Sequence, residues 1–390
     1  MIMRFLHTAD WHIGKELGAY SLLAQQTAAF NEIMQIARDE KVDAILLAGD
    51  LYDRAIPPTT AVNALEDMLK ALNLTSELPI FAVSGNHDGP ARLGAGKEWR
   101  EANQFYLRTE LAEAFVPIEF GNTQIFMLPF LDPLDARIYY EIENDSGEMR
   151  TINDVMTRVV ADMKNEFTPG MQHVLVSHYY VTGSRNEDYT LTSETTSSVG
   201  GLKGIDVNVF NDFDYVALGH LHLKQASPSK NVQYSGSPIK FNTKEAQSEK
   251  GVFIVDIDDT GVNSKWMPLH PDKDLILLTE SFETLIDADF YQQYERNGAN
   301  LFSIQLTDQP QVSDLRKQLV DIYGEIAEIQ FPKIQMEMND VAKRLKEQEE
   351  VSNQTLIQEF YEEVMHDKLN QNQMEIIEQT LIGLSREVTD

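Results

Sequence analysis

Five of the nine histidines in this sequence stand in short polar clusters that each follow an apolar run. Two aspartates and an asparagine belong to the same clusters. The eight residues are Asp10, His12, Asp50, Asn86, His87, His178, His220 and His222. Burying so many polar groups without partners would cost roughly several kcal/mol for each group. Two divalent metal ions would satisfy them together, so these residue types predict a dinuclear metal site.

The composition of the set suits two ions that share one carboxylate. Asp50 is the natural bridge, because it follows the central apolar run. Asp10, His12 and His222 would complete the ligands of one ion, and Asn86, His178 and His220 those of the other. Such a pair of ions can hold a bridging hydroxide and clamp a phosphate for in-line displacement. Mixed imidazole and carboxylate ligands favour Mn²⁺, Fe²⁺ or Zn²⁺ over Mg²⁺.

His87 is surplus to this coordination scheme, and we predict that it is catalytic. The adjacent Asp88 could hold the His87 ring, which would leave His87 to stabilise the phosphate in the transition state and to protonate the leaving oxygen. Taken alone, residues 84–88 could equally form an ordinary polar turn, since Gly and Asn are turn formers. The four other clusters favour the metal-site interpretation.

The segments between the clusters predict an α/β fold. Amphipathic helices are expected near residues 22–41, 57–72 and 152–163, where apolar residues recur at helical spacing. Strands are expected for the short apolar runs at residues 4–9, 42–48, 79–83, 124–128, 173–177, 214–218, 234–239 and 251–256. In such folds ligands gather at the carboxyl ends of the strands, which is where the polar clusters stand.

The pattern changes near residue 270, where we place a domain boundary. Residues 271–340 predict a small α+β unit, with strands near 275–279, 301–306 and 325–331 and helices near 281–295 and 311–322. Residues 341–390 are helical in character and carry apolar stripes that need a partner surface. That surface could belong to this chain or to a partner protein.

Composition limits the classes of function. With 390 residues, 42% of them hydrophobic, the chain is expected to form two or three domains. No apolar run reaches the length of a membrane span and no signal peptide is recognisable, so we expect a cytoplasmic protein. The absence of cysteine excludes disulfides, sulfur-bound zinc and thiol catalysis.

The formal charge of −30 means that DNA binding would require a local basic patch. Candidates for DNA contacts are Lys224, Lys240 and Lys244, which stand near Lys230 and Lys250. The same lysines, interrupted by Glu245 and Glu249, could instead be a solvated face.

Taken in order, the clusters resemble the calcineurin-like metallophosphoesterase superfamily. All five of its motifs are present as Asp10-x-His12, Gly49-Asp50-x-x-Asp53, Gly85-Asn86-His87-Asp88, His178 and Gly219-His220-x-His222. More narrowly, residues 7–12, 48–53, 218–222 and 234–238 are similar to the SbcD family of bacterial nuclease subunits. The resemblance covers residues 1–270 by motif and the remainder by layout only.

This resemblance implies a two-sheet β-sandwich flanked by helices over residues 1–270, which would form the nuclease domain. Residues 271–340 would be a capping domain that faces DNA, and residues 341–390 would dock an SbcC-type ATPase. The implied activity is a Mn²⁺-dependent exonuclease on double-stranded ends and an endonuclease on hairpins and single strands, in DNA repair, recombination and replication. The resemblance leaves open whether the chain forms a homodimer within a heterotetramer.

Asp53 stands where some members of the family carry histidine, so we expect a supporting role there and no phosphate contact. Two other functions also stay open. A phosphatase of the same superfamily, acting on small molecules or phosphoproteins, is disfavoured by the extra residues after position 270. A metal-free scaffold is disfavoured by the complete ligand set.

Overall fold

A computed structural model of the chain describes residues 2–143, 147–186, 204–296, 298–310 and 312–331, with residues 357–358, 361, 369–374 and 376–377. The internal contacts separate two compact units, Met1–Ile276 and Leu277–Asp390. Most of the predicted helical segment, residues 341–390, lies outside the described residues. The predicted division into capping and docking segments therefore stays a prediction.

The first unit alternates strands and helices. Its strands are β1 (Met3–Thr8), β2 (Glu16–Leu17), β3 (Tyr20–Ser21), β4 (Ala44–Ala48), β5 (Ile80–Val83), β6 (Phe105–Arg108), β7 (Ile118–Phe120), β8 (Thr123–Leu128), β9 (Gln172–His178), β10 (Val181–Thr182), β11 (Ile205–Asp206), β12 (Tyr215–Gly219), β13 (Val232–Tyr234), β14 (Gly251–Asp258) and β15 (Gly261–Pro268). Its helices are α1 (Leu23–Asp39), α2 (Thr59–Lys70), α3 (Pro90–Gly94), α4 (Lys97–Glu101), α5 (Pro133–Tyr139) and α6 (Ile152–Met163). Across the described ranges, no helix combines the length and apolar character needed to cross a membrane.

Two sheets carry the loops that bear the polar clusters. The first has the strand order β15-β14-β1-β4-β5-β6, and its strands β1, β4, β5 and β6 run parallel. The second has the order β13-β12-β9-β8-β7, and its strands β13, β12, β9 and β8 run parallel. Parallel strands end at one edge, so each sheet delivers its clusters to its own carboxyl edge.

The sheets pack face to face because consecutive side chains of a strand point to opposite faces. In β4, Leu46 joins the core between the sheets, whereas Ile45 packs in the cluster formed with α1 and α2. In β9, Val174 joins the same central core, whereas Leu175 packs in the cluster formed with α6. Helices therefore cover the outer faces of both sheets, and the predicted two-sheet sandwich flanked by helices is confirmed.

The strand assignments differ from the prediction in two ways. β13 ends at Tyr234, and the residues after it turn through Gly236, whose φ is +74°. In addition, the sequence pattern does not predict β2, β3, β6, β7, β10, β11 or β15 as strands. β15 has no continuous apolar run, because it is an edge strand on which exposed and partly buried side chains alternate.

The second unit is an α+β arrangement, as predicted. Its three-stranded sheet has the order β16-β17-β18, with β17 and β18 parallel. The elements are β16 (Asp274–Glu280), α7 (Phe282–Ile286), α8 (Ala288–Tyr291), β17 (Asn300–Leu306), α9 (Leu315–Tyr323) and β18 (Ile326–Gln330). The single helix predicted at 281–295 is instead two short helices, because Asp287 leaves the helical conformation and caps α8.

Glycines allow close approaches at the carboxyl edges, between the two sheets at Gly219 and within the first sheet at Gly85. A Cβ atom on Gly219, at the end of β12, would lie 1.9 Å from the carbonyl oxygen of Ala48 in β4. A Cβ atom on Gly85 would lie 2.1 Å from Oδ1 of Asp50. Neither position has room for a side chain, so the glycines of these two motifs are needed for the close contact.

Replacing Gly219 with alanine is expected to lower the free energy of unfolding by about 3 kcal/mol, the upper range for overpacking a core. The added methyl group would meet a backbone carbonyl in the opposite sheet, which cannot rotate away. Denaturant unfolding measures the change. Gly94→Ala in α3 is the matched control, because its Cβ would contact only Thr109 Oγ1, at 3.1 Å. Equal stabilities of the two variants would contradict the packing argument.

Candidate metal centre

The structure places all eight residues of the predicted clusters at the carboxyl edges of the two sheets. The first sheet contributes the residues that follow β1, β4 and β5, and the second contributes His178 at the end of β9 and the two histidines after β12. Asp10, His12, Asp50, His178 and His222 are buried, while Asn86, His87 and His220 are partly exposed. The site therefore opens towards solvent on one side.

The backbone of the site is held in an unusual conformation. The N–H of Asp10 donates to the carbonyl of Gly49 (3.1 Å), and that of His12 donates to the carbonyl of Asp50 (2.9 Å). Asp10, His12, Asp50 and His220 all have positive φ, at 53°, 43°, 50° and 96°. Such a conformation costs about 1–3 kcal/mol for each non-glycine residue. The surrounding structure stabilises these four residues in the orientations that bring their side chains together.

The first predicted ligand group is brought together around His12. Its Nε2 lies 3.1 Å from Nε2 of His222 and 3.4 Å from Oδ2 of Asp50. Ligand atoms of Asp10, His12 and His222 all lie within 4.8 Å of one another. Asp10 Oδ2 is buried without a hydrogen-bond partner in the described part of the chain. An unpaired buried carboxylate oxygen beside two imidazole nitrogens is a donor set for a cation.

The second predicted group meets on the other side of Asp50. His178 Nε2 lies 3.2 Å from Asp50 Oδ2 and 3.0 Å from Asn86 Oδ1, and His220 Nδ1 also lies 3.0 Å from Asn86 Oδ1. The other ring nitrogen of His178 lies 2.8 Å from the carbonyl oxygen of Ala48, so it carries a proton. Nε2 faces two acceptor oxygens, which either a second proton on the ring or a cation in its place would satisfy.

The pKa values of His178 and Asp50 show that the Asp50 carboxylate is ionised and favours positive charge on its neighbours. Burial opposes the protonated form of His178, but Asp50 outweighs it and raises the pKa of His178 to about 9. Burial also opposes ionisation of Asp50, yet His178 and His12 hold its pKa well below its usual range. Burial lowers the pKa of His220 to about 3 and that of His12 well below its usual value. The latter two histidines are therefore neutral, which is the form that binds metal ions.

These residues fit two divalent ions. Asp50 Oδ2 is the atom common to both groups, since it lies within 3.4 Å of Nε2 of both His12 and His178. The donors are nitrogen and oxygen atoms, as the absence of cysteine requires.

His87 lies beside the first group, but its ring is oriented differently from the prediction. Its Nδ1 lies 2.8 Å from the carbonyl oxygen of Asp53, and its backbone N–H donates to Asp50 Oδ1 at 2.9 Å. The His87 and His12 rings meet edge to face with their centroids 4.7 Å apart. The carbonyl oxygen of Asp53, and not the carboxylate of Asp88, is thus the acceptor that orients His87.

Asp88 has a different task. Its carboxylate accepts three backbone N–H bonds at 2.9–3.1 Å, from Leu51, Tyr52 and Gly85. It therefore fixes the loops after β4 and β5 against each other. Burial, followed by the charge of Asp50, raises the pKa of Asp88 to about 7 against the effect of these hydrogen bonds.

Sequence reasoning missed two features next to the site. Lys15 Nζ pairs with Asp53 Oδ1 at 2.9 Å, and no motif marks this lysine. Glu245 and Lys250 are buried behind His222, so the assignment of Glu245 to a solvated face and of Lys250 to a basic patch is wrong. The hydrophobic residues Phe241 and Ala246 on either side of Glu245 were the available signal for its burial.

The three predicted DNA-contacting lysines differ in their surroundings. Lys224 pairs with Glu249 at 3.2 Å and lies over the ring of Trp266. Lys240 pairs with Asp274 at 2.6 Å and donates to a backbone carbonyl. The Lys244 side chain is exposed.

Two family models match most of this chain. Residues 3–224 match the family model described as calcineurin-like phosphoesterase. Residues 271–365 match a model described as the type 5 capsule protein repressor C-terminal domain. A dimetal phosphatase from Danio rerio, known from its crystal structure, is 11% identical with a TM-score of 0.40 and covers 69% of this chain and 99% of its own.

Two curated relatives match almost the full chain. The SbcD component of the SbcCD nuclease of Staphylococcus epidermidis is 30% identical over 380 residues, which cover 97% of this chain and 98% of that protein. The SbcD component of the SbcCD nuclease of Staphylococcus saprophyticus is 29% identical over 385 residues, which cover 99% of both proteins. The chain therefore belongs to the calcineurin-like phosphoesterase family and, within it, to the group that includes the SbcD proteins.

Proposed function

We propose that this chain is the nuclease subunit of a two-component complex and hydrolyses phosphodiester bonds in DNA with an SbcC-type ATPase partner. The observation that carries the proposal is the convergence of His12, Asp50 and His178, with His87 beside them. The similarity to SbcD proteins over nearly their whole length supports DNA as the substrate and an ATPase as the partner.

In this proposal, Asp10, His12, Asp50 and His222 hold one divalent ion, and Asp50, Asn86, His178 and His220 hold the other. We propose Mn²⁺ as the preferred ion, because imidazole nitrogens mixed with carboxylate oxygens suit a transition metal better than Mg²⁺. When bound, the two ions would activate water for attack on the phosphorus and neutralise phosphate charge.

His87 would move the proton to the leaving group. Its Nδ1 donates to the carbonyl oxygen of Asp53, which fixes the orientation of the ring, and in this proposal Nε2 passes a proton to the leaving oxygen of the DNA backbone. Asp88 supports this step indirectly, since its bonds to backbone amides fix the loop that carries His87.

A nuclease assay on blunt-ended, hairpin and single-stranded DNA tests the proposal, with and without the candidate ATPase and ATP. We expect cleavage with Mn²⁺, weaker cleavage with Mg²⁺, loss of activity with a chelator and recovery when Mn²⁺ is added back. Rapid hydrolysis of a phosphomonoester with no action on DNA would contradict the proposal and establish a phosphatase.

His87→Ala is expected to lower the rate of DNA cleavage about 10²- to 10⁴-fold, the usual contribution of a general acid, while two ions stay bound. Single-turnover cleavage and metal analysis of the purified variant measure the two effects. His270→Ala is the control, because the His270 side chain is 77% exposed and pairs with Glu32 outside the site. Wild-type cleavage by His87→Ala would rule out the role proposed for this histidine.

Lys244→Ala is expected to weaken DNA binding and to reduce the slope of log affinity against log salt by about one, as removal of one phosphate contact does. Fluorescence anisotropy across a salt series measures the slope. Lys70→Ala is the control, because Lys70 is exposed at the end of α2 that leads back to the start of β5, away from the carboxyl edge. An unchanged slope for Lys244→Ala would exclude this contact.

A further inference from the structure

A buried ion pair lies behind His222 and belongs to none of the predicted motifs. Glu245 is fully buried and Lys250 is 4% exposed, and their Oε2 and Nζ atoms are 2.6 Å apart. Both residues lie beyond residue 224, where the match to the phosphoesterase family model ends. Burying two charges is costly unless their remaining polar atoms also find partners.

The carboxylate of Glu245 is surrounded by four donors. Oε1 faces His222 Nδ1 at 3.0 Å and also accepts from Asn242 Nδ2, while Oε2 accepts from Lys250 Nζ and from the backbone N–H of Phe241 at 3.2 Å. An ionised carboxylate can only accept hydrogen bonds, so His222 Nδ1 must carry a proton. Four donors around the two oxygens, one of them the ammonium group of Lys250, suit an ionised carboxylate.

Lys250 ties this carboxylate to the chain that carries His222. Its Nζ donates to the carbonyl oxygen of His222 at 2.9 Å and to Ser237 Oγ at 2.8 Å, in addition to Glu245. All three donor positions of the ammonium group are therefore used. The backbone and the ring of His222 are held by the two partners of one ion pair.

We propose that Glu245 is a positioning residue for the metal centre. It keeps the proton on His222 Nδ1 and so directs the lone pair of Nε2 towards the ion that His222 would share with Asp10 and His12. Lys250 holds Glu245 in the orientation that this requires. The inference rests on the proposed metal site.

The alternative tautomer would place a hydrogen on His222 Nε2, which lies 3.1 Å from His12 Nε2. That hydrogen would point at the ion position and exclude coordination by His222. A hydrogen bond from the other nitrogen of a metal-binding imidazole is worth about 10- to 100-fold in metal affinity. Glu245 supplies such a bond to His222.

The proton position can be read without any mutation. ¹⁵N NMR of the metal-free, full-length protein labelled at histidine is expected to show His222 protonated at Nδ1 and bare at Nε2. A His222→Asn variant identifies the signal by its disappearance. A wild-type His222 protonated at Nε2 would overturn the proposal.

Glu245→Gln keeps the size of the side chain but places an N–H₂ group where donors already point. In a Mn²⁺ titration we expect one of the two ions to bind about 10- to 100-fold more weakly than in the wild type. Glu249→Gln is the matched control, because the Glu249 side chain is 75% exposed and pairs with Lys224. The Glu249→Gln variant should bind two Mn²⁺ ions with the affinities of the wild type.

The outcomes separate this inference from the function on which it rests. A wild-type protein that binds no Mn²⁺ would refute the proposed function and this inference with it. A wild-type protein that binds two ions, together with a Glu245→Gln variant that binds both as tightly, would refute the positioning role alone.

Discussion

The site depends on the meeting of potential metal-ligand atoms from two sheets at Asp50 Oδ2. Nε2 of His12, from the first sheet, and Nε2 of His178, from the second, both lie within 3.4 Å of this oxygen. Because Asp50 is buried, the negative charge of its carboxylate is weakly screened, and cations bound beside it stabilise this arrangement of side chains strongly. Ions bound there would also stabilise the packing of the two sheets, because the donors converge only when the sandwich is formed.

The backbone reflects the same constraint. Gly219 removes the side chain that would otherwise keep the two carboxyl edges apart, and Gly85 makes room for Asp50 within the first sheet. Asp10 and Asp50 accept a left-handed conformation that costs free energy, and Asp88 offsets part of this cost by holding three backbone amides. Some residues of these motifs are thus needed for the close approach of the backbones, and the others supply the ligand atoms.

The ligand set could be predicted from the sequence because each cluster follows an apolar run that marks the end of a strand. Other features left no such mark. Asp88 accepts hydrogen bonds from backbone amides, which every residue type except proline carries, so the sequence does not indicate these partners. The sequence pattern instead predicts that Asp88 holds the neighbouring His87 ring. The spacing of charged residues along the sequence does not distinguish a buried ion pair from a solvated one. It therefore predicts surface positions for Glu245 and Lys250, which are buried. The edge strand β15 lacks the apolar run that marks buried strands.

The acidic composition of the chain need not oppose DNA binding at the site. Lys224, Lys240 and Lys250 are already paired with acidic groups, so they add little net positive charge around the centre. In the proposed ligand set, the carboxylates Asp10 and Asp50 would offset only half the charge of two divalent ions. The excess positive charge would then lie at the carboxyl edge itself, where a phosphodiester must bind. Attraction of DNA to this edge would therefore depend more on bound ions than on the −30 charge of the whole chain.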